Sequence, residues 1–98
     1  MKNHQGNRRA VEDDLFNAVL ALRDKKECRK FFDDICTPAE IEAMVDRWQV
    51  AKLLVQDIPY RTISERTNVS LATVTRVARC LFNENSGYKM IIERMNSE

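Results

Sequence analysis

Chain punctuation is scarce: two glycines and two prolines in 98 residues. So few turn-formers argue against an architecture of strands and tight turns and favour helices joined by short loops. Histidine occurs once, at His4 in a polar N-terminal stretch, and the three cysteines, Cys28, Cys36 and Cys80, form no CxxC pair. No metal site is assigned on such ligands. An odd number of thiols with no secretory segment is expected to be reduced, in a cytoplasm, with the cysteines acting as small buried hydrophobes. There is no glycine-rich phosphate loop and no nucleophile–base pair at a recognisable spacing. The chain is therefore read as no enzyme, with no catalytic residue and no cofactor. No uninterrupted apolar run approaches the length of a bilayer span, so no membrane partner is expected.

Charge of one sign is also lacking overall. Sixteen Lys+Arg against fifteen Asp+Glu leave a net charge of +1, a balance that by itself says nothing of nucleic acid. Its distribution says more. Between Tyr60 and Leu81 the charged residues are Arg61, Glu65, Arg66, Arg76 and Arg79, four positive against one negative. A near-neutral protein with one basic segment can still dock on phosphates locally.

What the chain has in quantity is helical periodicity. Apolar residues make up 44% and charged residues 32%, the balance of one soluble globular domain. Residues 1–10, MKNHQGNRRA, are polar and are read as a flexible arm, with 11–98 as a single domain. Val11, Leu15, Ala18, Val19 and Leu22 recur at helical spacing, widened by Phe16 and Leu20, and predict a helix from Val11 to about Asp24. A short helix over about 26–35 follows, with Cys28, Phe31, Phe32 and Ile35 apolar. At 37–40, TPAE combines a capping Thr37, Pro38 at the first helical position and Glu40 to complete a capping box. The helix it opens carries Ile41, Met44, Val45, Trp48, Ala51 and Val55 on one stripe and Val50, Leu53 and Leu54 beyond it, so it is expected to be central. A further helix starts at Pro59 or Tyr60, with Ile63 inward. TNVS at 67–70 reads as a tight turn in which Asn68 tolerates the left-handed conformation and Ser70 caps the next helix. NENSGY at 83–88 breaks the chain before a last amphipathic helix bearing Tyr88, Ile91, Ile92 and Met95. No internal repeat and no strand-like alternation interrupts this all-α pattern of about six helices.

The helix from Leu71 to about Phe82 carries the functional signal. At about 100° per residue, Leu71, Val74, Ala78 and Leu81 gather on one side, while Ala72, Thr75, Arg76 and Arg79 gather opposite, with Thr73 at the edge. Small side chains let a backbone approach the major groove closely, Thr methyls suit thymine methyls, and arginines pair with guanine or phosphate. Two short helices joined by a three-residue turn form a helix-turn-helix, whose second helix presents its N-terminal residues to base edges. Leu71, Ala72, Thr73, Thr75, Arg76 and Arg79 are accordingly the expected contacts to double-stranded DNA. The competing reading of each arginine alone is an ordinary solvated helix face. The alternative for the whole chain is a helical protein-interaction module without DNA binding.

TPAEIEAMVDRWQVAKLL followed by YRTISERTNVSLATVTRV resembles the Trp repressor superfamily, and within it the Trp-repressor-like YerC/YecD family of bacterial proteins. The match covers residues 37–82, just under half of the chain. The resemblance implies a fold of about six helices, in which the outer helices of two chains interleave into a homodimer carrying two recognition units. It implies a transcriptional regulator, a repressor by family, acting on an approximately palindromic operator. Arg61 and Ser64 on the preceding helix become supporting phosphate contacts by family position. The surplus of apolar surface outside 37–82 agrees with a dimer, with Val19, Leu22, Phe31, Phe32, Trp48, Ile91 and Ile92 as candidates for its shared core.

In tryptophan-sensing members of the superfamily the indole lies between two arginines, and Arg47 and Arg76 match those positions. Thr37 matches a residue lining the same pocket. Val77 and Cys80 depart from the sensing pattern, standing where that group has a glycine beside the indole and a ligand-holding serine. A branched side chain in a space meant for an indole overpacks it. The resemblance therefore leaves a small-molecule effector open and disfavours L-tryptophan.

Overall fold

Six helices and no strand occur among the described residues, 5–97, of the computed structural model: α1 (Gln5–Leu20), α2 (Lys25–Ile35), α3 (Pro38–Val55), α4 (Tyr60–Thr67), α5 (Leu71–Leu81) and α6 (Gly87–Asn96). The all-α expectation holds. The chain divides between Pro38 and Ala39 into two compact units.

The first unit holds α1 and α2. Part of the expected flexible arm, residues 1–4, lies outside the described residues, but residues 5–10 belong to α1. The polar stretch contains no proline, and an i,i+4 pair between Arg8 Nε and Glu12 Oε2 at 3.1 Å spans the expected boundary. At the other end α1 stops short of the expected Asp24. The Leu22 amide donates to the Val19 carbonyl at 3.1 Å, and the Ala21 amide is shared between the Asn17 and Ala18 carbonyls, the tightening usual in a last turn. Asp24 instead caps α2: its carboxylate accepts from the Glu27 amide at 2.9 Å, while Glu27 Oε1 accepts from the Arg23 amide at 2.9 Å. Within α2 the rings of Phe31 and Phe32 meet edge to face, 5.4 Å apart at 83°, a favoured aromatic geometry.

The second unit is built on α3. Its C-terminal half supplies Val50, Ala51 and Leu54 to a core completed by Ile63 of α4, Val69 of the turn, Val74, Val77, Ala78 and Leu81 of α5, and Ile92 of α6. Trp48, Leu53, Ile58 and Tyr88 pack half-buried around it. Removing a side chain such as Ile63 or Leu81 from water stabilises by about 1.5–3 kcal/mol, and these two, with Val50 and Val74, are the largest fully buried side chains. Of the stripe expected of α3 only Ala51 is fully buried, with Ile41 and Trp48 half-buried. Met44, Val45 and Val55 are exposed, and the inward line is Val50–Ala51–Leu54. A helix apolar on several sides does not choose its buried face from spacing alone.

Helix α3 ends in a turn the sequence reading did not anticipate. Asp57 adopts φ 63°, the left-handed region. The Ile58 amide reaches back to the Leu53 carbonyl at 3.3 Å and the Asp57 amide to the Leu54 carbonyl at 3.0 Å. This is the paired pattern that satisfies the last carbonyls of a helix around a left-handed residue. Glycine is the usual signal for it, and here an aspartate takes the position. Pro59 then precedes α4 in an extended conformation, φ −61° and ψ 144°. Ser86 caps α6 by accepting from the Lys89 amide at 3.2 Å.

Candidate nucleic-acid interface

Helix α4 packs on α5, and α5 on α6. The link between α4 and α5 fixes how α5 is presented. Asn68 ends α4 in the left-handed conformation, φ 61° and ψ 24°, with its amide bonded to the Ser64 carbonyl at 2.9 Å. Thr67 Oγ1 donates to the Ile63 carbonyl at 2.7 Å and accepts from the Val69 amide at 3.2 Å. Ser64 Oγ donates to the Val69 carbonyl at 2.7 Å. The buried Val69 side chain drives the same residue into the core, so both polar groups of its backbone are satisfied as the side chain is buried. Ser70 then caps α5, accepting from the Thr73 amide at 3.1 Å and donating to Thr73 Oγ1 at 3.0 Å. The left-handed Asn68 and the capping Ser70 were both expected. The Ser64 and Thr67 bonds were not; their signal is a hydroxyl residue one turn before and another immediately before a left-handed asparagine.

Two helices held at such a turn, the second with one buried and one open face, make a helix-turn-helix. Ala72, Thr75, Arg76 and Arg79 are exposed together on α5, and Thr73 is half-buried at their edge. Arg61 is exposed on α4. Among the described residues, no ion pair engages Arg61, Arg76 or Arg79. Three guanidinium groups are thus free to meet an anion. Thr75 Oγ1 donates to the Leu71 carbonyl at 2.9 Å.

One sequence expectation about α5 changes, and Ser64 on α4 has a structural bond besides its expected role. Leu71, placed on the inward line, is 43% exposed, and Val77 is buried in its stead at 2%. The inward set is Val74, Val77, Ala78 and Leu81, at i, i+3, i+4 and i+7, which is as good a helical stripe as the one starting from Leu71. Its exposure puts Leu71 at the N-terminal end of the outward surface, where it had also been counted. Ser64, expected as a phosphate contact, is half-buried and commits its proton to Val69.

The residues matched to an effector pocket differ in setting. Thr37, exposed and not without a partner, belongs to the first unit. Arg47 is half-buried on α3, Arg76 and Cys80 are exposed on α5, and Val77 is packed in the core. A cavity of about 210 Å³ in the second unit lies elsewhere, bounded by Leu54, Val55, Asp57, Leu81, Phe82, Lys89, Ile92, Glu93 and Asn96, and none of the effector residues lines it. The cysteines are less buried than expected: Cys28 and Cys80 are exposed and Cys36 is half-buried, all as free thiols. Cys80 falls off the buried line of α5, and α2, which carries Cys28, buries no residue fully.

The chain belongs to the Trp repressor family. The family described as Trp repressor protein matches residues 11–96, and its fold is that of a regulator rather than of an enzyme. Among individual relatives, an uncharacterised protein of Bacillus subtilis, YerC, is 43% identical over 83 residues, covering 85% of this chain and 80% of its own length. A TrpR-like protein from Eubacterium eligens has a solved structure that superposes with a TM-score of 0.86 at 38% identity, covering 95% of this chain and 96% of that one. A solved Trp repressor candidate from Staphylococcus aureus gives the same TM-score at 43% identity, over 100% of this chain and 98% of its own.

The bonds at the turn are expected to contribute measurably to stability. Ser64→Ala leaves the Val69 carbonyl without its side-chain donor, and Ser70→Ala removes the cap of α5. Each is expected to lower the unfolding free energy by about 1 kcal/mol, read from urea unfolding as a lower midpoint at unchanged slope. Unaltered midpoints would show that the turn holds without them.

Proposed function

We propose that this protein is a sequence-specific DNA-binding transcriptional regulator, a repressor, acting as a helix-turn-helix homodimer in the bacterial cytoplasm. The observation that carries the reading is the open face of α5, where Ala72, Thr75, Arg76 and Arg79 stand exposed beyond a capped, core-anchored turn. Leu71 and Thr73 flank that face, and Arg61 on α4 supplies a cation for the phosphate backbone. Ser64 acts chiefly by bracing the turn. Residues 11–98 are taken as the functional domain. The docking geometry is the one established for helix-turn-helix proteins, the Trp repressor among them: the second helix lies in the major groove. On a duplex selected from random sequences, affinity is expected to fall linearly in log–log form with salt as counterions are released. Arg79→Ala is expected to lose roughly 1–3 kcal/mol of binding and to relax preference at one position. A salt-insensitive protein complex in place of DNA binding would favour an interaction module instead.

The homodimer is supported by apolar surface left open in a single chain. Val11 is 62% exposed, Phe16 56% and Leu20 80% on α1, and Val45 51% on α3. Large apolar side chains left open to this extent are what an association site covers. Of the candidates for a shared core, Ile92 is already buried within one chain, while Val19, Leu22, Phe31, Phe32, Trp48 and Ile91 are half-buried. Two recognition helices related by a two-fold axis read grooves about 34–36 Å apart, so the preferred site is approximately palindromic. Sedimentation at micromolar concentration is expected to show twice the 11.4 kDa chain mass. A well-folded monomer there would refute the dimer.

No L-tryptophan response is proposed. Val77 fills its position with a branched side chain packed in the core, and a thiol at Cys80 is a poorer hydrogen-bond partner than a hydroxyl. Arg47, Arg76 and Thr37 remain as an incomplete set, consistent with a different effector or with a reading head set permanently. Calorimetric titration with L-tryptophan is expected to be silent and operator affinity unchanged by it. Saturable binding that tightens operator binding would overturn this.

A further inference from the structure

On the outward face of α5 the two threonines are not equivalent. Thr73 Oγ1 accepts from Ser70 and keeps its own proton. Thr75 spends its proton on the Leu71 carbonyl at 2.9 Å, yet remains exposed. A hydroxyl has one proton to give, so toward a groove Thr75 offers a methyl group and lone pairs but no donor. Residues 71–82 contain no Asn, Gln, Asp or Glu. The side chains that pair bidentately with adenine or accept from the cytosine amino group are therefore missing from this helix. Its donors to base acceptors are Arg76 and Arg79, with the Thr73 hydroxyl at the edge of the face, and beside the arginines stand the methyls of Ala72 and Thr75.

From these observations we infer that Thr75 is a specificity-determining residue that reads a thymine through its methyl group and not through its hydroxyl, in a half-site where an adjacent guanine is read by arginine. This rests on the DNA-binding reading above. Ala72 and Thr75 lie about 4.5 Å apart along the helix axis and Ala72 and Arg79 about 10.5 Å. At about 3.4 Å per base step the row spans about three steps, enough for a thymine and a guanine within one short half-site. The thymine C5-methyl is the only methyl group the four bases show in the major groove, and a donorless methyl surface is its complement.

The test uses the full chain and the duplex it selects from random DNA, with each half-site thymine replaced in turn by deoxyuridine, which lacks only the methyl. For wild type, one such replacement is expected to weaken binding about fourfold, the equivalent of one buried methyl group at ~0.8 kcal/mol. Thr75→Ser keeps the hydroxyl and loses the methyl; it is expected to bind the thymine site about fourfold more weakly and to be indifferent to that deoxyuridine. Thr75→Val keeps the methyl and loses the hydroxyl; it is expected to bind like wild type. A collapse of binding in Thr75→Val with Thr75→Ser unaffected would show that the hydroxyl rotates to face DNA and would overturn the inference. So would a wild type indifferent to every deoxyuridine on a site it clearly prefers over scrambled duplex. If no duplex is preferred over scrambled DNA, the DNA-binding reading itself fails and this assignment with it.

Discussion

The rest of the second unit depends on how three residues, Asn68, Val69 and Ser70, turn the chain. A left-handed asparagine ends α4, a valine drops into the core and a serine caps α5. Burying Val69 is favourable only if its amide and carbonyl find partners away from water, and Thr67 and Ser64 supply them. The two requirements meet at one residue. Apolar burial therefore sets the position of the turn, hydrogen bonding sets its direction, and the outward face of α5 follows from both.

That coupling explains a division of labour among the polar side chains. Ser64, Thr67 and Ser70 point their hydroxyls into the turn and act on the backbone, whereas Arg61, Arg76 and Arg79 are exposed with no ion pair among the described residues. A rigid short-side-chain network beneath long unpaired cations suits electrostatic recognition. The scaffold loses little conformational freedom on binding, and the cost of ordering is confined to the arginines. Family membership with the Trp repressor, at 0.86 TM-score to two solved relatives, gives this arrangement its place among bacterial helix-turn-helix folds. The departures at Val77 and Cys80 fall on the same helix, Val77 in its buried line and Cys80 exposed beside the outward row.

The first unit shows a different balance. Its helices are ended by local chemistry, the Asp24–Glu27 cap and the tightened last turn of α1, yet its apolar residues stay largely open in a single chain. Local bonds suffice to define helices, while their apolar faces still need a surface to cover them.

The sequence by itself determined what is local. Pro38 starting α3, Asn68 in the left-handed turn, Ser70 capping α5 and the row of Ala72, Thr75, Arg76 and Arg79 depend on residues within a few positions of one another, and all were legible. The start of α1 was not, because a polar helical turn with one i,i+4 pair, Arg8–Glu12, looks like a polar arm. Nor was the turn at Asp57, because an aspartate in the left-handed region carries no glycine to announce it. Tertiary structure alone decided which of several apolar lines is buried: Val50–Ala51–Leu54 on α3 and not Met44–Val45–Val55, and Val77 and not Leu71 on α5. Periodicity says that a helix has a stripe, but when two stripes share residues, only the elements packed against the helix choose between them.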